Sequence, residues 1–389
     1  MRRPTAESLV RRRLADCGLE VDGPADRDPR ILDERVYGEI LERGSLGAGE
    51  AYMDGWWTAE DLPGCLEAVL RGGLAERLAR SLWIERLVTA RHRLSNRQVR
   101  RLSWRVAERH YDLPPPIYER MLGPTMQYTC AYWDRGAADL EEAQQAKMDL
   151  VCDKLDLAPG MRVLELGAGW GALAHHMVTT RGVEVVAVTN SAEQCRFAVE
   201  RYACPGLEFH HLDYRDYEEP DGRRFDRVAA IGLIEHVGRK NFEAFFSRIK
   251  RHLEPHGRAL VHGMAHHAGP KARTDRWLLR YIFPGGEMPR LPDVVEAITQ
   301  AGTVLLDLHN LGSSYAPTLG AWLERLERAR ADLGPGSVLE DDRFFRMWRY
   351  YLSMSIAAFR AGTLQVYQYL LARPQGEGGI APSATTRIS

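Results

Sequence analysis

From Glu141 to Leu371 the chain alternates short apolar runs with longer stretches whose apolar residues recur at helical spacing. Val163, Leu164 and Leu166 form the kind of run that a strand buried on both faces requires. A helical pattern through Leu173 and Met177 follows. Val183 to Val188 reads as the next strand, and Ser191 as the cap of a helix running to about Ala203. Leu207 to His211 and Asp226 to Ile231 are further strands, Asn241 to Leu253 a helix, and Gly257 to Gly263 a strand. This alternation predicts a parallel sheet with helices on both faces and ligands beyond the carboxyl ends of its strands. Ahead of it, Glu141 to Leu155 reads as a helix with Ala146, Leu150, Val151 and Leu155 on one face. After it, Lys271 to Pro292 reads as a loop-rich insertion placed to cover the site. Thr318 to Leu333 and Phe344 to Arg360 read as helices, and Gln365 to Leu371 as a last strand.

The N-terminal part has a different texture. Residues 1–30 are polar and mixed in charge, with Arg11, Arg12 and Arg13 adjacent, and read as a weakly ordered entry segment. From Ile31 to about Arg105 the pattern is short and helical, with Gly44-Ser45-Leu46-Gly47-Ala48-Gly49-Glu50 as a glycine-rich turn. Trp56 and Trp57 read as a packing anchor, since tryptophan's main asset is its buried area. Between Leu82 and Arg105, Arg91, Arg93, Arg97, Arg100, Arg101 and Arg105 interleave with apolar residues. That pattern fits a solvated basic face, an amphipathic contact with an anionic membrane, or a nucleic-acid contact. A linker near Arg105 separates domain 1–105 from domain 106–373. Pro114-Pro115-Pro116 breaks regular structure there, and residues 374–389 read as a disordered tail.

The first strand runs into Gly167-Ala168-Gly169-Trp170-Gly171. Strand, glycine turn and helix start form the nucleotide-cradling corner of a doubly wound sheet. The spacing is neither the dinucleotide fingerprint nor a P-loop. It leaves S-adenosylmethionine, another nucleotide, or a purely structural turn. The second strand ends without a ribose-binding acid, but Thr189 and Asn190 stand at its end and could take that job.

Net charge is −1 over 389 residues, so no global field points to nucleic acid. Six cysteines show no paired C-x-x-C spacing, which argues against a zinc site and a disulfide framework, and for a reducing compartment. The Arg-rich start has no apolar segment of the signal-peptide kind, and no apolar run is long enough to span a bilayer.

Asp213, Glu235 and His262 fall at or just past strand ends, and Cys130 sits in an aromatic segment that also contains Tyr128 and Thr129. Taken singly, each has an ordinary reading: a buried thiol, a helix-start charge, a core histidine. Tyr315, before a helix, reads by default as a packing residue.

Several ordered blocks carry a resemblance. They are Gly44-Ser45-Leu46-Gly47, Tyr52-Met53-Asp54-Gly55-Trp56-Trp57, His110-Tyr111-Asp112, and Met126 to Trp133. Glu142-Ala143-Gln144-Gln145-Ala146-Lys147, the glycine turn, Asp213-Tyr214-Arg215-Asp216, Glu235-His236-Val237-Gly238 and Tyr281-Ile282-Phe283-Pro284 complete the set. From about Arg30 to Arg373 the chain resembles the cyclopropane-fatty-acyl-phospholipid synthases. The resemblance implies an α/β class I S-adenosylmethionine-dependent methyltransferase sheet, Rossmann-like, with a smaller helical N-terminal domain. It also implies methyl transfer from S-adenosylmethionine to a cis double bond of a phospholipid acyl chain. A carbocation then loses a proton to bound bicarbonate, and the ring closes.

The family's bicarbonate cage falls on Cys130, Glu235, His262 and Tyr315, with the backbone of Met264. Cofactor contacts are expected at Tyr128, Thr129, Gly167, Gly169, Thr189, Asn190, Gln194, Asp213 and Tyr214, with no metal. The expected setting is cytoplasmic, at the inner face of the membrane, as a homodimer on membrane phospholipid and an anionic surface, without nucleic acid. The chain departs from the family at Pro114-Pro115-Pro116, at Ala168, where cysteine is common, and at Met264, where a β-branched residue is usual. The alternatives are a methyl-branching relative, an enzyme of a specialised unsaturated substrate, and a catalytically silent lipid-binding homologue.

Overall fold

The computed structural model describes residues 5–73, 115–267, 275–284, 286–334 and 336–374. In chain order the helices are α1 (Ala6–Ala15), α2 (Arg35–Arg43), α3 (Ser45–Met53), α4 (Leu62–Arg71), α5 (Pro115–Leu122), α6 (Leu140–Leu155) and α7 (Ala172–Arg181). They continue with α8 (Ala192–Tyr202), α9 (Phe242–His252), α10 (Arg276–Tyr281), α11 (Leu291–Gln300), α12 (Gly312–Leu333) and α13 (Asp342–Arg360). The strands are β1 (Arg30–Ile31), β2 (Trp57–Thr58), β3 (Arg162–Leu166), β4 (Glu184–Thr189), β5 (Leu207–His211), β6 (Phe225–Ile231), β7 (Leu253–Ala265), β8 (Val304–Asn310) and β9 (Gln365–Ala372).

By packing, the chain divides into two compact units, one of residues 1–96, 273–285 and 316–364, the other of 97–272, 286–315 and 365–389. The helices expected within the catalytic segment after residue 316 therefore pack with the N-terminal part. The cause is an aromatic cluster: Tyr350 of α13 lies 5.3 Å from the Tyr52 ring and 4.7 Å from that of Trp277. The expected glycine turn at 44–50 is instead a break at Gly44 (φ +60°) followed by helix α3. Its glycines serve close approach. A Cβ at Gly49 would stand 2.4 Å from Trp277 Cδ1, and one at Gly47 2.2 Å from the Glu39 carbonyl oxygen. Trp57 is the anchor its sequence suggests, buried and donating Nε1–H to the Ala48 carbonyl at 2.8 Å. The insertion expected as loop contains α10 and the start of α11.

The second unit is built on a sheet ordered β5-β4-β3-β6-β7-β9-β8. β5 through β7 run parallel, while β9 is antiparallel to both β7 and β8. Alternate residues feed two cores. Val163, Val185 and Ala229 pack with Val151 and Leu155 of α6 and Met177 of α7. Leu164, Val228 and Val261 pack with Phe245, Phe246 and Ile249 of α9 and Val294 of α11. Each such fully buried aliphatic contributes about 1.5–3 kcal/mol. β8, absent from the sequence pattern, is an edge strand with Leu306 and Leu308 exposed and a register shift after Leu305, so no alternation marks it. Pro115 and Pro116 start α5 rather than only breaking structure, because a first-turn proline lacks an N–H that would be unsatisfied anyway. The basic stretch 82–105, His110-Tyr111-Asp112, Pro114 and residues 375–389 lie outside the described residues.

Candidate active site

The strand order reverses at β3, which pairs with β4 on one side and β6 on the other, opening a crevice beyond their carboxyl ends. Gly167 (φ +80°) and Gly169 (φ +55°) turn the chain there. The Gly167 and Ala168 N–H groups both donate to the Val188 carbonyl at 2.9 Å, pinning the turn to β4. A Cβ at Gly169 would meet nothing within 4 Å, so its backbone faces open space. Gly171 does a different job: its Cβ would stand 2.8 Å from Ala198 Cβ and 2.9 Å from Phe209 Cζ.

At the end of β4 the buried Thr189 and Gln194 meet, Thr189 Oγ1 donating to Gln194 Oε1 at 3.2 Å. Ser191 caps α8 by accepting the Gln194 N–H, which fixes that side of the crevice. Asn190 stands half-buried between them. Past β5, the Asp213 carboxylate is engaged by Arg215, whose Nε donates to Oδ1 at 2.8 Å and Nη2 to Oδ2 at 2.5 Å. Tyr214 packs edge-on against Phe245 at 5.7 Å, and burial pushes its phenol up to about 12. Tyr128 meets Tyr118 edge-on at 5.7 Å, and the Thr129 hydroxyl accepts from Lys147 Nζ at 3.1 Å.

Glu235 follows β6 on a short 3₁₀ turn. Its Oε1 accepts the Met264 backbone N–H at 2.6 Å, while Oε2 is sealed from solvent and has no hydrogen-bond partner. Burial pushes its pKa up to about 7 against the opposing pull of the Met264 amide. Gly263 makes this possible, since a Cβ there would lie 2.3 Å from Ile234 Cγ2 and 3.0 Å from Glu235 Oε2. His262, one residue earlier, is buried on β7, and its carbonyl accepts the Gly232 N–H at 2.8 Å. Burial, with Lys147 and Lys154 adding to it, pushes the imidazole down to about 3, so it is neutral. Gln368 Nε2 lies 3.4 Å from its Nδ1; an amide donor there leaves the ring proton on Nε2.

The aromatic segment closes on these strand ends. Gly232 (φ +72°) lets Thr129 approach, for a Cβ there would be 2.9 Å from Thr129 Cγ2. Cys130 Sγ reaches the Ala131 carbonyl at 3.2 Å and the Leu311 carbonyl at 3.8 Å, and the Trp133 N–H donates to Ser314 Oγ at 3.2 Å. The segments carrying Cys130, Glu235, His262 and Tyr315 are thus brought together around the ends of β6 and β7. Tyr315 itself is 8% exposed.

Two buried charges next to this cluster escaped the sequence reading. Burial pushes Lys147 down and Glu165, at the end of β3, up; each opposes the other's shift. Glu165 Oε2 is buried and unpartnered. A carboxylate inside the apolar run Val163 to Leu166 was the available signal. Among the described residues no group of three or more His, Cys, Asp or Glu is arranged to hold a metal.

Residues 98–369 match the mycolic acid cyclopropane synthetase family. The chain belongs to that family. It is 41% identical over 365 residues to the cyclopropane-fatty-acyl-phospholipid synthase of Escherichia coli (strain K12), covering 92% of this chain and 91% of that protein. It is 34% identical over 390 residues to tuberculostearic acid methyltransferase UfaA1 of Mycobacterium tuberculosis, covering 95% and 90%. Among solved structures it is similar to the mycolic acid cyclopropane synthase CmaA1 complexed with SAH and CTAB, at TM-score 0.63 and 30% identity over 69% of this chain and 98% of that one. Coclaurine N-methyltransferase bound to SAH, at 20% identity and TM-score 0.66 over 85% of this chain and 99% of that one, shares the fold alone. By family and fold the chain is an enzyme of the S-adenosylmethionine-dependent methyltransferase class.

Proposed function

We propose that this family member transfers the methyl group of S-adenosylmethionine to a cis double bond of a phospholipid acyl chain and closes a cyclopropane ring. Bound at the glycine turn, S-adenosylmethionine supplies an electrophilic methyl carbon, and bicarbonate held by Cys130, Glu235, His262 and Tyr315 supplies the base. The observation that carries the reading is the buried, unpartnered Oε2 of Glu235 beside Met264. A buried carboxyl oxygen without a partner costs about 1–3 kcal/mol, which a bound hydroxyl-bearing anion would relieve. Glu235, with its pKa near neutrality, can accept a hydrogen bond from such an anion without imposing a fixed second charge. His262 is neutral and can donate from one ring nitrogen, and the Cys130 thiol is a second donor. The open backbone at Gly169, flanked by Thr189 and Gln194, suits the cofactor.

Tyr128, Thr129, Asn190, Asp213 and Tyr214 complete the proposed cofactor pocket. The proposal extends to a homodimer at the cytoplasmic face of an anionic membrane, with the basic stretch Arg91 to Arg105 as the contact. A second reading, a methyl-branched product that keeps a double bond because the carbocation loses a neighbouring proton instead of closing the ring, is favoured by the similarity to a tuberculostearic acid methyltransferase. Lipid mass spectrometry after expression in a host lacking cyclopropane lipids tests the activity through a mass gain of one CH₂. Gas chromatography of the methyl esters then separates ring from branch. An unchanged lipid profile from well-expressed protein refutes both readings and leaves the enzyme of a specialised unsaturated substrate and the silent lipid-binding homologue.

A further inference from the structure

The helical unit carries a pocket of its own. A cavity of about 490 Å³ lies at the C-terminus of α3 and the first turns of α13, lined by Arg330, Arg343, Arg346 and Arg349 against Asp54 and Asp342. All of these residues belong to that one unit. Three guanidiniums have carboxylate partners. Arg343 Nε donates to Asp54 Oδ1 at 2.8 Å, Arg349 Nε to Glu327 Oε1 at 2.7 Å, and Arg330 pairs with Asp342.

Arg346 is the exception. Its Nε and Nη2 donate to the backbone carbonyls of Tyr52 and Trp57, at 2.5 and 2.8 Å, and its guanidinium stacks 4.1 Å from the Tyr52 ring centroid. Two carbonyls and an aromatic face hold the group in place but do not neutralise it. Its remaining N–H groups have no acceptor among the described residues. Burial is the main influence against its charge, with Arg349 and Arg330 adding to it and Tyr52 and Asp342 opposing it, and an incoming anion would relieve that burial cost.

The guanidinium fork matches two oxygens of an oxyanion, and a cluster of such forks suits phosphate in particular. Asp342 competes for Arg330 from an exposed position at the start of α13, so the cluster is only partly self-satisfied. We propose that this pocket binds a phosphate group, bidentate on Arg346 and flanked by Arg343 and Arg330. The group comes either as a phospholipid headgroup or as free phosphate. The site stands independently of the methyl-transfer reading.

Titration calorimetry and thermal shift on the full chain test it, with three probes. Inorganic phosphate tests the free anion, monomeric dihexanoylphosphatidylglycerol the headgroup, and dihexanoylglycerol serves as the phosphate-free control. Arg346→Lys should weaken phosphate binding by about tenfold, because it keeps the charge but loses the fork. Arg343→Gln should weaken it by less. Asp342→Asn should tighten it by roughly threefold by freeing Arg330. Binding of the short-chain lipid alone identifies a headgroup site; equal binding of inorganic phosphate identifies a free-phosphate site. The proposal falls if neither probe binds at tens of millimolar, or if binding is indifferent to these substitutions and so belongs elsewhere. It falls also if Asp342→Asn weakens binding. Should Arg346→Lys fail to fold, the other two variants, both at exposed side chains, decide the matter.

Discussion

Glu235 and Met264 share one hydrogen bond, the Met264 N–H donating to Oε1 at 2.6 Å, and this contact leaves the second carboxyl oxygen buried without a partner. Glu235 follows β6 and Met264 lies near the end of the adjacent β7, and Gly263 provides the clearance between them.

If that carboxyl holds a catalytic anion, Glu235→Gln and His262→Ala should lose activity while S-adenosylhomocysteine binding persists. Each removal leaves buried partners unmatched, at about 1–3 kcal/mol. That is roughly ten- to a hundredfold in rate if the loss falls on the transition state. Cys130→Ser should be milder, since a hydroxyl still donates. Turnover and ligand affinity measured on the same purified variants check this. Near-full turnover of Glu235→Gln in bicarbonate-free buffer would remove the cage.

The same burial makes opposite contributions to stability against pH. Glu235 is raised to about 7, so its contribution is fully present below its unfolded value and lost as pH rises through 7. His262 is lowered to about 3, so its contribution is present above its unfolded value and lost as pH falls toward 3. Glu235→Gln should therefore gain on wild type above pH 7, by up to roughly 3 kcal/mol, and the gain should vanish in acid. Denaturant titrations at several pH values measure it, and a pH-independent difference would contradict the burial of this group.

The glycines of the turn separate ligand from packing. Gly169→Ala adds a Cβ at positive φ into open space, so S-adenosylhomocysteine affinity should fall about tenfold, with a strain cost near 1–2 kcal/mol. Gly171→Ala drives a Cβ into Ala198 and Phe209, so the loss should appear first as a lower melting temperature. Calorimetry and thermal melts on the pair distinguish the roles. Equal effects of both substitutions on affinity would deny Gly169 a place in the cradle.

The pattern of the chain made most of the sheet legible, for a physical reason. β3, β4 and β6 are short, largely buried apolar runs, and Ser191 caps α8 where its side chain type says it should. β8 lies at the edge, where its run Val304-Leu305-Leu306 is only partly covered and is broken by Asp307. Gly44 to Glu50 misled because glycine serves both turns and tight helix packing; only Trp277, far along the chain, tells which. At the site, strand-end positions pointed to Glu235 and His262, and the family resemblance supplied their roles. The Lys147–Glu165 pair stayed hidden because one partner looks like a helix-surface lysine until packing buries it.

The basic stretch Arg91 to Arg105 should favour anionic vesicles, at up to about 1 kcal/mol per arginine near the surface. Sedimentation with neutral and anionic vesicles at low and high salt tests this. Equal binding to both, insensitive to salt, would leave the stretch as a solvated face.

Lys147 and Glu165 offer a test of how the site holds its charges. Both are buried, Lys147 donates to Thr129 Oγ1 at 3.1 Å, and each opposes the other's desolvation shift. Lys147→Met removes the donor from Thr129 and the charge that opposes the burial of Glu165, and should destabilise the fold. Glu165→Gln alone leaves the ammonium buried and should also destabilise. The double substitution removes both charges together and should recover part of the loss, with a coupling of at least about 0.5 kcal/mol. Urea denaturation of the two single variants and the double variant gives that coupling directly. Strictly additive losses would show that the two groups do not sense one another, and that Lys147 acts only through Thr129.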